Sequence, residues 1–319
     1  MFTIRPFNFS DEDYQAAVEC WNLNFPEVLE TVEQYRRGDK VREPHRYYKR
    51  LVGLLDNQPV AVAIYCEVWW QKHPDKYDIE VDVLPEQQGK GFGKAMYERV
   101  QMELADRKPA LFSTYTADNH PRGPRFLEDR GFKLALREPA SRLELKEFDA
   151  TRFVDVSEKV TAGGIRIEPL TALQERLSDW AHKLWELRWL VLKDVPGTAP
   201  WERETFEVYE RESLQNPDFE PAGHFVALDG DRWVGLSNLW PTKAEPHKLW
   251  CGLTGVDPDY RRRGIAIALK VRAAQYASRQ GYQQIDTDNE ENNPMYDINM
   301  KLGFKPLPAW LAYELTLKD

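Results

Sequence analysis

The chain has 319 residues, 42% of them hydrophobic, and a net charge of −9. That length makes two domains of about 150 residues, and plentiful Trp, Tyr and Phe exclude wholesale disorder. The negative charge, with no basic domain, excludes a partner held through nucleic-acid phosphates.

Three scattered cysteines, Cys20, Cys66 and Cys251, have no metal-ligand spacing and read as buried thiols in a reducing compartment. The opening Met1–Pro6 passes straight into a strand, and no apolar run approaches membrane-spanning length. A cytoplasmic protein is expected, with no membrane partner and no metal.

In chain order, Ile4–Phe7 reads as a strand and Asp11-Glu12-Asp13 opens a helix through Ala16, Val18 and Trp21. Tyr47–Leu55 and Val60–Trp69 form a hairpin around Asp56-Asn57-Gln58. Tyr77–Val83 alternates as a strand, and a helix from Gly91 carries Phe92, Met96, Val100 and Leu104 on one face. A strand at Ala110–Thr114, a helix at Arg122–Arg130 and a closing strand at Ser141–Leu145 complete the first half. The polar stretch Phe148–Gly163 reads as a linker.

The second half repeats this order. Ile165–Leu170 is a strand, followed by an amphipathic helix through Leu177, Trp180, Leu184 and Leu187. His224–Leu228 and Trp233–Leu239 turn at Asp229-Gly230-Asp231, and Leu249–Val256 is the next strand. A loop, its helix, a strand at Gln284–Thr287, a helix at Met295–Leu302 and a closing strand at Trp310–Leu317 follow.

Two Gly-rich loops organise the chain. Gln88-Gly89-Lys90-Gly91-Phe92-Gly93-Lys94 follows one strand, and Arg261-Arg262-Arg263-Gly264-Ile265-Ala266 follows its counterpart. Small residues let phosphates approach the backbone, and N–H groups without helical partners, together with the helix dipole, favour an anion there. Gln88 and Arg261 add side-chain donors. These two lie 173 positions apart, while Gly131-Phe132 and Gly303-Phe304 lie 172 apart and Ile4 and Ile167 lie 163 apart. Landmarks in one order at nearly constant offset mean that a whole domain is duplicated. A Walker A loop fails because Lys94 is followed by Ala95, and a dinucleotide fingerprint fails because Lys94 and Met96 stand where a third Gly is required.

The loop template, followed by a short helix ending in Gly-Phe, resembles the GNAT superfamily of acetyl-coenzyme A-dependent N-acetyltransferases. The resemblance covers both halves, a layout similar to that of mycothiol synthase, and Asn292-Asn293-Pro294-Met295 with Lys301-Leu302-Gly303-Phe304 adds family-like spacing. It implies two tandem α/β (α+β) folds, at 1–150 and 163–319, each a twisted mixed sheet flanked by helices. In each, the sheet splays beside the loop strand to admit the pantetheine arm.

The implied reaction is direct acetyl transfer from acetyl-coenzyme A to a small-molecule amine in a ternary complex, by a monomer or homodimer. The implied cofactor contacts in the first copy are Val81, Val83, Gln88, Gly89, Lys90, Gly91, Gly93, Lys94 and Asn119. In the second they are Thr254, Val256, Arg261, Arg262, Arg263, Gly264, Ala266, Asn289 and Asn292. His120 takes the first-copy place that Asn292 holds in the second. The position four before Gly-Phe, where the family commonly places a Tyr acid, holds Leu127 and Asn299.

An aliphatic ammonium, with a pKa near ~10.4, needs help to lose its proton. Asp78, Glu80 and Asp82 alternate on one face of the first loop strand. This row reads either as an acidic cleft, with Glu80 as base and Asp82 attracting the ammonium, or as a solvated sheet face. The second copy, 173 positions on, has Cys251, Leu253 and Gly255, so its loop strand offers no carboxylate. One catalytic copy beside a cofactor-holding copy, or a non-catalytic acyl-coenzyme A-binding module, are the alternatives.

Overall fold

The computed structural model describes residues 1–73 and 75–317. In chain order its elements are β1 (Phe2–Pro6), α1 (Asp11–Asn24), α2 (Val32–Val41), β2 (Tyr48–Leu55), β3 (Gln58–Glu67), β4 (Lys76–Val83), α3 (Phe92–Leu104), β5 (Leu111–Ala117), α4 (Arg122–Glu128) and β6 (Lys133–Glu144). There follow α5 (Val154–Ala162), β7 (Ile165–Pro169), α6 (Leu170–Gln174), α7 (Trp180–Leu192), α8 (Phe206–Tyr209), β8 (His224–Asp229), β9 (Arg232–Pro241), β10 (Lys248–Val256), α9 (Ile265–Arg279), β11 (Gln284–Asp288), α10 (Pro294–Leu302) and β12 (Lys305–Thr316).

The chain forms two compact units, neither of them continuous in sequence. Unit 1 is Met1–Arg137 with Thr198–Glu202 and Trp310–Asp319; unit 2 is Glu138–Gly197 with Arg203–Ala309. The closing strands are exchanged. In unit 1, β5 pairs antiparallel with Trp310–Thr316 of β12, and in unit 2, β11 pairs antiparallel with Ala140–Glu144 of β6. A cut near residue 150 therefore does not describe the units: the strand read as closing the first half completes the second sheet, and the reverse.

Each unit is a mixed sheet between helical layers. In unit 1 the order is β1-β2-β3-β4-β5 and the end of β12; in unit 2 it is the end of β6, then β11-β10-β9-β8-β7. In unit 1 the inner residues Leu51, Ala61, Ala63, Tyr77 and Ile79 pack on Met96, Val100 and Leu104 of α3. The opposite face sets Val52, Val60 and Val62 against Tyr14, Ala16 and Cys20 of α1. The β2–β3 hairpin turns at Asp56 and Asn57, both at positive φ, the left-handed pair that a tight hairpin requires.

The stretch read as a linker is structured. Val154–Ala162 is the helix α5, and Val156 and Val160 come within 3.0 and 3.5 Å of the position a Cβ would take at Gly264. Its apolar residues lie four apart, so one helical face meets the start of α9. Among the described residues, no helix is long and apolar enough to cross a membrane.

Candidate functional site

In each unit the two central parallel strands part company just before the glycine loop. β4 and β5 pair only over Lys76–Asp78 and Leu111–Ser113, yet β4 runs on to Val83 and β5 to Ala117. β10 and β11 pair only over Lys248–Trp250 and Gln284–Asp286, while β10 runs on to Val256. Each pair thus opens a wedge whose near edge ends in the loop. At the loop, Gly91 and Gly264 cap α3 and α9 at φ 91° and 84°, the left-handed region in which a side chain is strained. Gly89 is at φ 78°, and its counterpart Arg262 adopts φ 62°.

The loop residues read as phosphate donors divide by direction. Gln88 Nε2 donates back to the Val83 carbonyl at 3.1 Å, and Arg261 Nε repeats the bond to the Val256 carbonyl at 3.1 Å. Arg261 also pairs with Asp194, just beyond α7. Both side chains brace the loop against its own strand instead of pointing outward. Arg263 bonds the Asp259 carbonyl and stacks over Tyr260, Lys90 bonds Gln87, and Lys94 lies 3.6 Å from Glu98. One cation was missed by sequence reasoning. A Cβ at Gly89 would stand 2.5 Å from a guanidinium nitrogen of Arg122, so this glycine lets Arg122 lie against the loop.

Asn24, at the end of α1, ties the first wedge together. Its Nδ2 donates to the Cys20 and Val83 carbonyls at 2.7 and 3.0 Å, which fixes the orientation of the amide. Its Oδ1 accepts from Gln88 Nε2 at 2.8 Å and lies 3.1 Å from His120 Nε2. With an acceptor facing Nε2, the imidazole carries its proton there, leaving Nδ1 buried without a partner. Burial and the nearby Arg122 hold His120 below the usual histidine range. Phe25 lies 5.8 Å from this imidazole and 5.1 Å from Trp310, tilted against both rings. Asn119 bonds Glu27 and stays outside the network.

Behind the wedge, Asp78, Glu80 and Asp82 share the face of β4 that also carries buried Lys76. Asp82 is buried, while Asp78 and Glu80 are half-buried. Burial lifts Asp78 and Asp82 to about 6, and burial plus the charge of Asp82 lifts Glu80 well above the carboxylate range. The charge on either of Glu80 and Asp82 opposes ionisation of the other, so the two carboxyls titrate as a pair. Tyr35 and Glu30 face the same space, and Glu30 rises to about 7 by burial. Ser113 Oγ donates to Asp78 at 2.8 Å, which places Tyr115, two residues on and 44% exposed, on this face of β5. Lys76 is fully engaged by Gln71, Thr198 and Glu314, each at 2.8 Å.

The second unit differs by a bulge. β9 and β10 pair Leu239 with Cys251 and then Ser237 with Thr254, so Gly252 and Leu253 stand opposite Asn238 alone. Asn238 Oδ1 accepts from the Leu253 N–H at 2.8 Å. The bulge inserts one residue, which corrects the constant offset of 173: Lys76 matches Lys248 and Asp78 matches Trp250 before it, and Val83 matches Val256 after it. Gly255 replaces Asp82 because Val191 of α7 would lie 2.1 Å from its Cβ. Asn289 Oδ1 accepts from Asn299 Nδ2 at 2.6 Å, and Asn292 bonds Glu290, so neither side chain faces the loop. Asn299 is completely buried, and its Oδ1 has no partner among the described residues.

The model of the acetyltransferase (GNAT) family matches residues 14–132 and 174–304. The chain belongs to that family. It carries two tandem copies of the GNAT fold. An uncharacterised N-acetyltransferase of Methanocaldococcus jannaschii is 31% identical over 137 residues, 41% of this chain, and the chain spans about half the length of that relative. A tandem GNAT protein from the clavulanic acid biosynthesis pathway superposes with a TM-score of 0.75 at 15% identity, covering 100% of this chain and 99% of its own. A GCN5-related N-acetyltransferase of Sphaerobacter thermophilus gives 0.74 at 16% identity, covering 100% and 96%. At these identities the likeness of the two structures is one of fold.

Proposed function

We propose that the chain moves an acetyl group from acetyl-coenzyme A to the amine of a small molecule, by direct attack in a ternary complex, with a coenzyme-binding loop in each unit. The observation that carries this reading is the coincidence, twice over, of an open strand wedge with a left-handed glycine at a helix N-terminus. Such a terminus presents unpaired N–H groups and a partial positive charge to an anion.

The residues fit the coenzyme. A Cβ at Gly91 would meet nothing within 4 Å, so the space outside the loop is open to a phosphate. Among the described residues, His120 Nδ1 is an orphaned acceptor beside the first wedge that suits an amide N–H of a pantetheine arm. When bound, the coenzyme supplies an acetyl group activated on a thioester sulfur. The backbone of Gly89, Gly91 and Gly93, and of Arg262, Gly264 and Ala266, holds its phosphates, with Arg122 beside the first loop. Val81 and Val83, or Thr254 and Val256, offer backbone groups along the wedge.

In unit 1 the ionised member of the Glu80–Asp82 pair takes the ammonium proton, and the paired charge draws the ammonium in. Tyr115 is the hydroxyl on that face best placed to return a proton. Free, buried Cys20, Cys66 and Cys251 support a reducing, cytoplasmic setting, and a monomer or homodimer suffices. Incubating the protein with acetyl-coenzyme A and a panel of small amines tests the reading: free coenzyme thiol should appear only with an accepted amine. Release without amine dependence, or none with any amine, would remove it.

A second reading keeps chemistry in one unit while the other holds coenzyme. Asn24 favours it, because this side chain bonds both edges of the first wedge and has no equivalent bridge in the second among the described residues.

A further inference from the structure

We propose that the acceptor amine of unit 1 is rich in hydroxyls, and that these are read in a cleft at the foot of β4 by Gln71, Asp78 and Glu314. The proposal rests on the reading above and names the substrate class of that same site.

A cleft of about 250 Å³ opens on the face of β4 that carries the carboxylates. Asp78 and Ser113 from the two parallel strands line it, with Tyr115 from β5, Glu314 from β12, and Gln71 and Thr198 from two loops. Those loops form a short ribbon. The Lys72 N–H donates to the Pro200 carbonyl at 2.7 Å and the Glu202 N–H to the Trp70 carbonyl at 2.9 Å, which sets Gln71 opposite Trp201. Thr198–Glu202 lies in unit 1, although the sequence on either side of it builds unit 2. Glu80 follows Asp78 by two residues on the same face, about 7 Å along the strand. An acceptor whose amine meets the Glu80–Asp82 pair therefore reaches the cleft with the next few atoms of its skeleton.

Buried Lys76 spends its three protons on Gln71 Oε1, Thr198 Oγ1 and Glu314 Oε1, each at 2.8 Å. An ammonium accepts nothing, so Gln71 must turn its oxygen to Lys76, and the Thr198 hydroxyl donates to the same oxygen at 3.3 Å. The Gln71 amide nitrogen is left with two N–H donors and no partner among the described residues, in a residue only 7% exposed. A buried donor in that condition calls for an acceptor. Asp78 uses one oxygen for Ser113 Oγ at 2.8 Å and Glu314 uses one for Lys76. The second oxygen of each carboxylate has no partner among the described residues. The cleft thus combines donors with two acceptors, and its one cation is already paired with Glu314. A second ammonium would bring donors only and leave the Gln71 amide unpaired. A carboxylate would bring acceptors only and meet Asp78 and Glu314. A hydroxyl does both, accepting from Gln71 while donating to a carboxylate oxygen. The chemistry fits an amine with neighbouring hydroxyls, an amino sugar or amino polyol.

The test uses the full chain and two ring amines as probes, D-glucosamine with hydroxyls and cyclohexylamine without. Gln71→Glu keeps an oxygen for Lys76 and removes both N–H donors. The ratio of kcat/KM for glucosamine to that for cyclohexylamine should then fall about tenfold from its wild-type value. Comparing ratios cancels the difference in basicity between the two amines. In coenzyme-free protein, glucosamine but not cyclohexylamine should move the indole N–H resonance of Trp70, which also lines the cleft and is assigned by its loss in Trp70→Phe. That resonance decides alone where Gln71→Glu does not fold. A resonance that glucosamine leaves in place or that cyclohexylamine moves equally, or a ratio unchanged in Gln71→Glu, would overturn the cleft's role and leave the transferase reading intact. If no amine releases coenzyme yet glucosamine moves Trp70, the transferase reading fails and the hydroxyl site stands.

Discussion

Asn24 and His120 meet across the mouth of the first wedge, with 3.1 Å between Oδ1 and Nε2, while the same Asn24 holds the Val83 carbonyl at 3.0 Å. One side chain thus spans the gap between the loop strand and the turn after β5. In unit 2 the equivalent place is taken by Asp194, which bonds Arg261 and leaves Asn292 to Glu290.

Asn24→Ala therefore removes a bridge that a ligand in the first wedge must displace. Coenzyme A should bind unit 1 more tightly by about 0.5–1.5 kcal/mol, the net worth of a hydrogen bond, with unit 2 unchanged. Calorimetry on the variant reads this directly. A weaker first site would show instead that Asn24 holds the loop in its binding shape.

Arg261 braces its loop through the Val256 carbonyl and Asp194. Arg261→Ala should weaken coenzyme binding in unit 2 by roughly 1–3 kcal/mol. Because the guanidinium acts through the loop, Asp194→Ala should weaken the same site in the same direction. If Arg261 held a phosphate itself, freeing it from Asp194 would leave affinity unchanged or raise it.

Glu80→Gln should lower turnover at unit 1 by about a hundredfold or more. Coenzyme affinity should persist, because Glu80 lies on the strand face and not on the loop. Asp82→Asn should lower turnover by a comparable factor and also raise the amine requirement, since Asp82, at about 6, is the member of the pair ionised near neutral pH. Full activity in Glu80→Gln together with loss on blocking Gly264 would assign the reaction to unit 2.

Stability should fall as pH rises from about 4 to about 7. Asp78, Asp82 and Asp288 titrate at about 6 when folded, and Glu30 and Glu138 at about 7, all above their unfolded values of 3.8 and 4.5. Across that window the folded state holds more protons than the unfolded one, so raising pH favours unfolding. His224, held down to about 4 by burial, and His120, also held below the usual histidine range, work in the opposite sense, but two imidazoles are outweighed by five carboxyls. Denaturant melts of the wild type and of Asp78→Asn should differ in slope over this range, with the variant flatter. Parallel curves would mean that Asp78 is solvated.

The glycine loops, the strand–loop–helix order and the duplication were legible because each has a local signature: small residues at left-handed positions and repeated landmarks. The Asp78–Glu80–Asp82 row was legible as well, since alternation fixes which residues share a face. Strand exchange was not. A closing strand such as Ser141–Leu145 reads alike whichever sheet it completes, and only its pairing with Gln284–Asp288 decides. The bulge at Gly252 left no landmark before the loop to show it, because a one-residue insertion in an apolar strand has no composition of its own. For that reason Cys251 was matched to Asp78 when Trp250 is its counterpart. Asn24 and Arg122 escaped because their roles arise from long-range contacts, and the linker helix α5 because its packing partner is a loop more than a hundred residues away.

The central claim is that both wedges accept coenzyme A. Titrating the full chain with coenzyme A by calorimetry, beside Gly91→Trp and Gly264→Trp, tests it most directly, since each substitution puts a bulky side chain at a left-handed loop position. The account predicts about two sites per wild-type chain and about one in each variant, the surviving affinity differing between them. A single site in the wild type, abolished by one substitution and indifferent to the other, would contradict it.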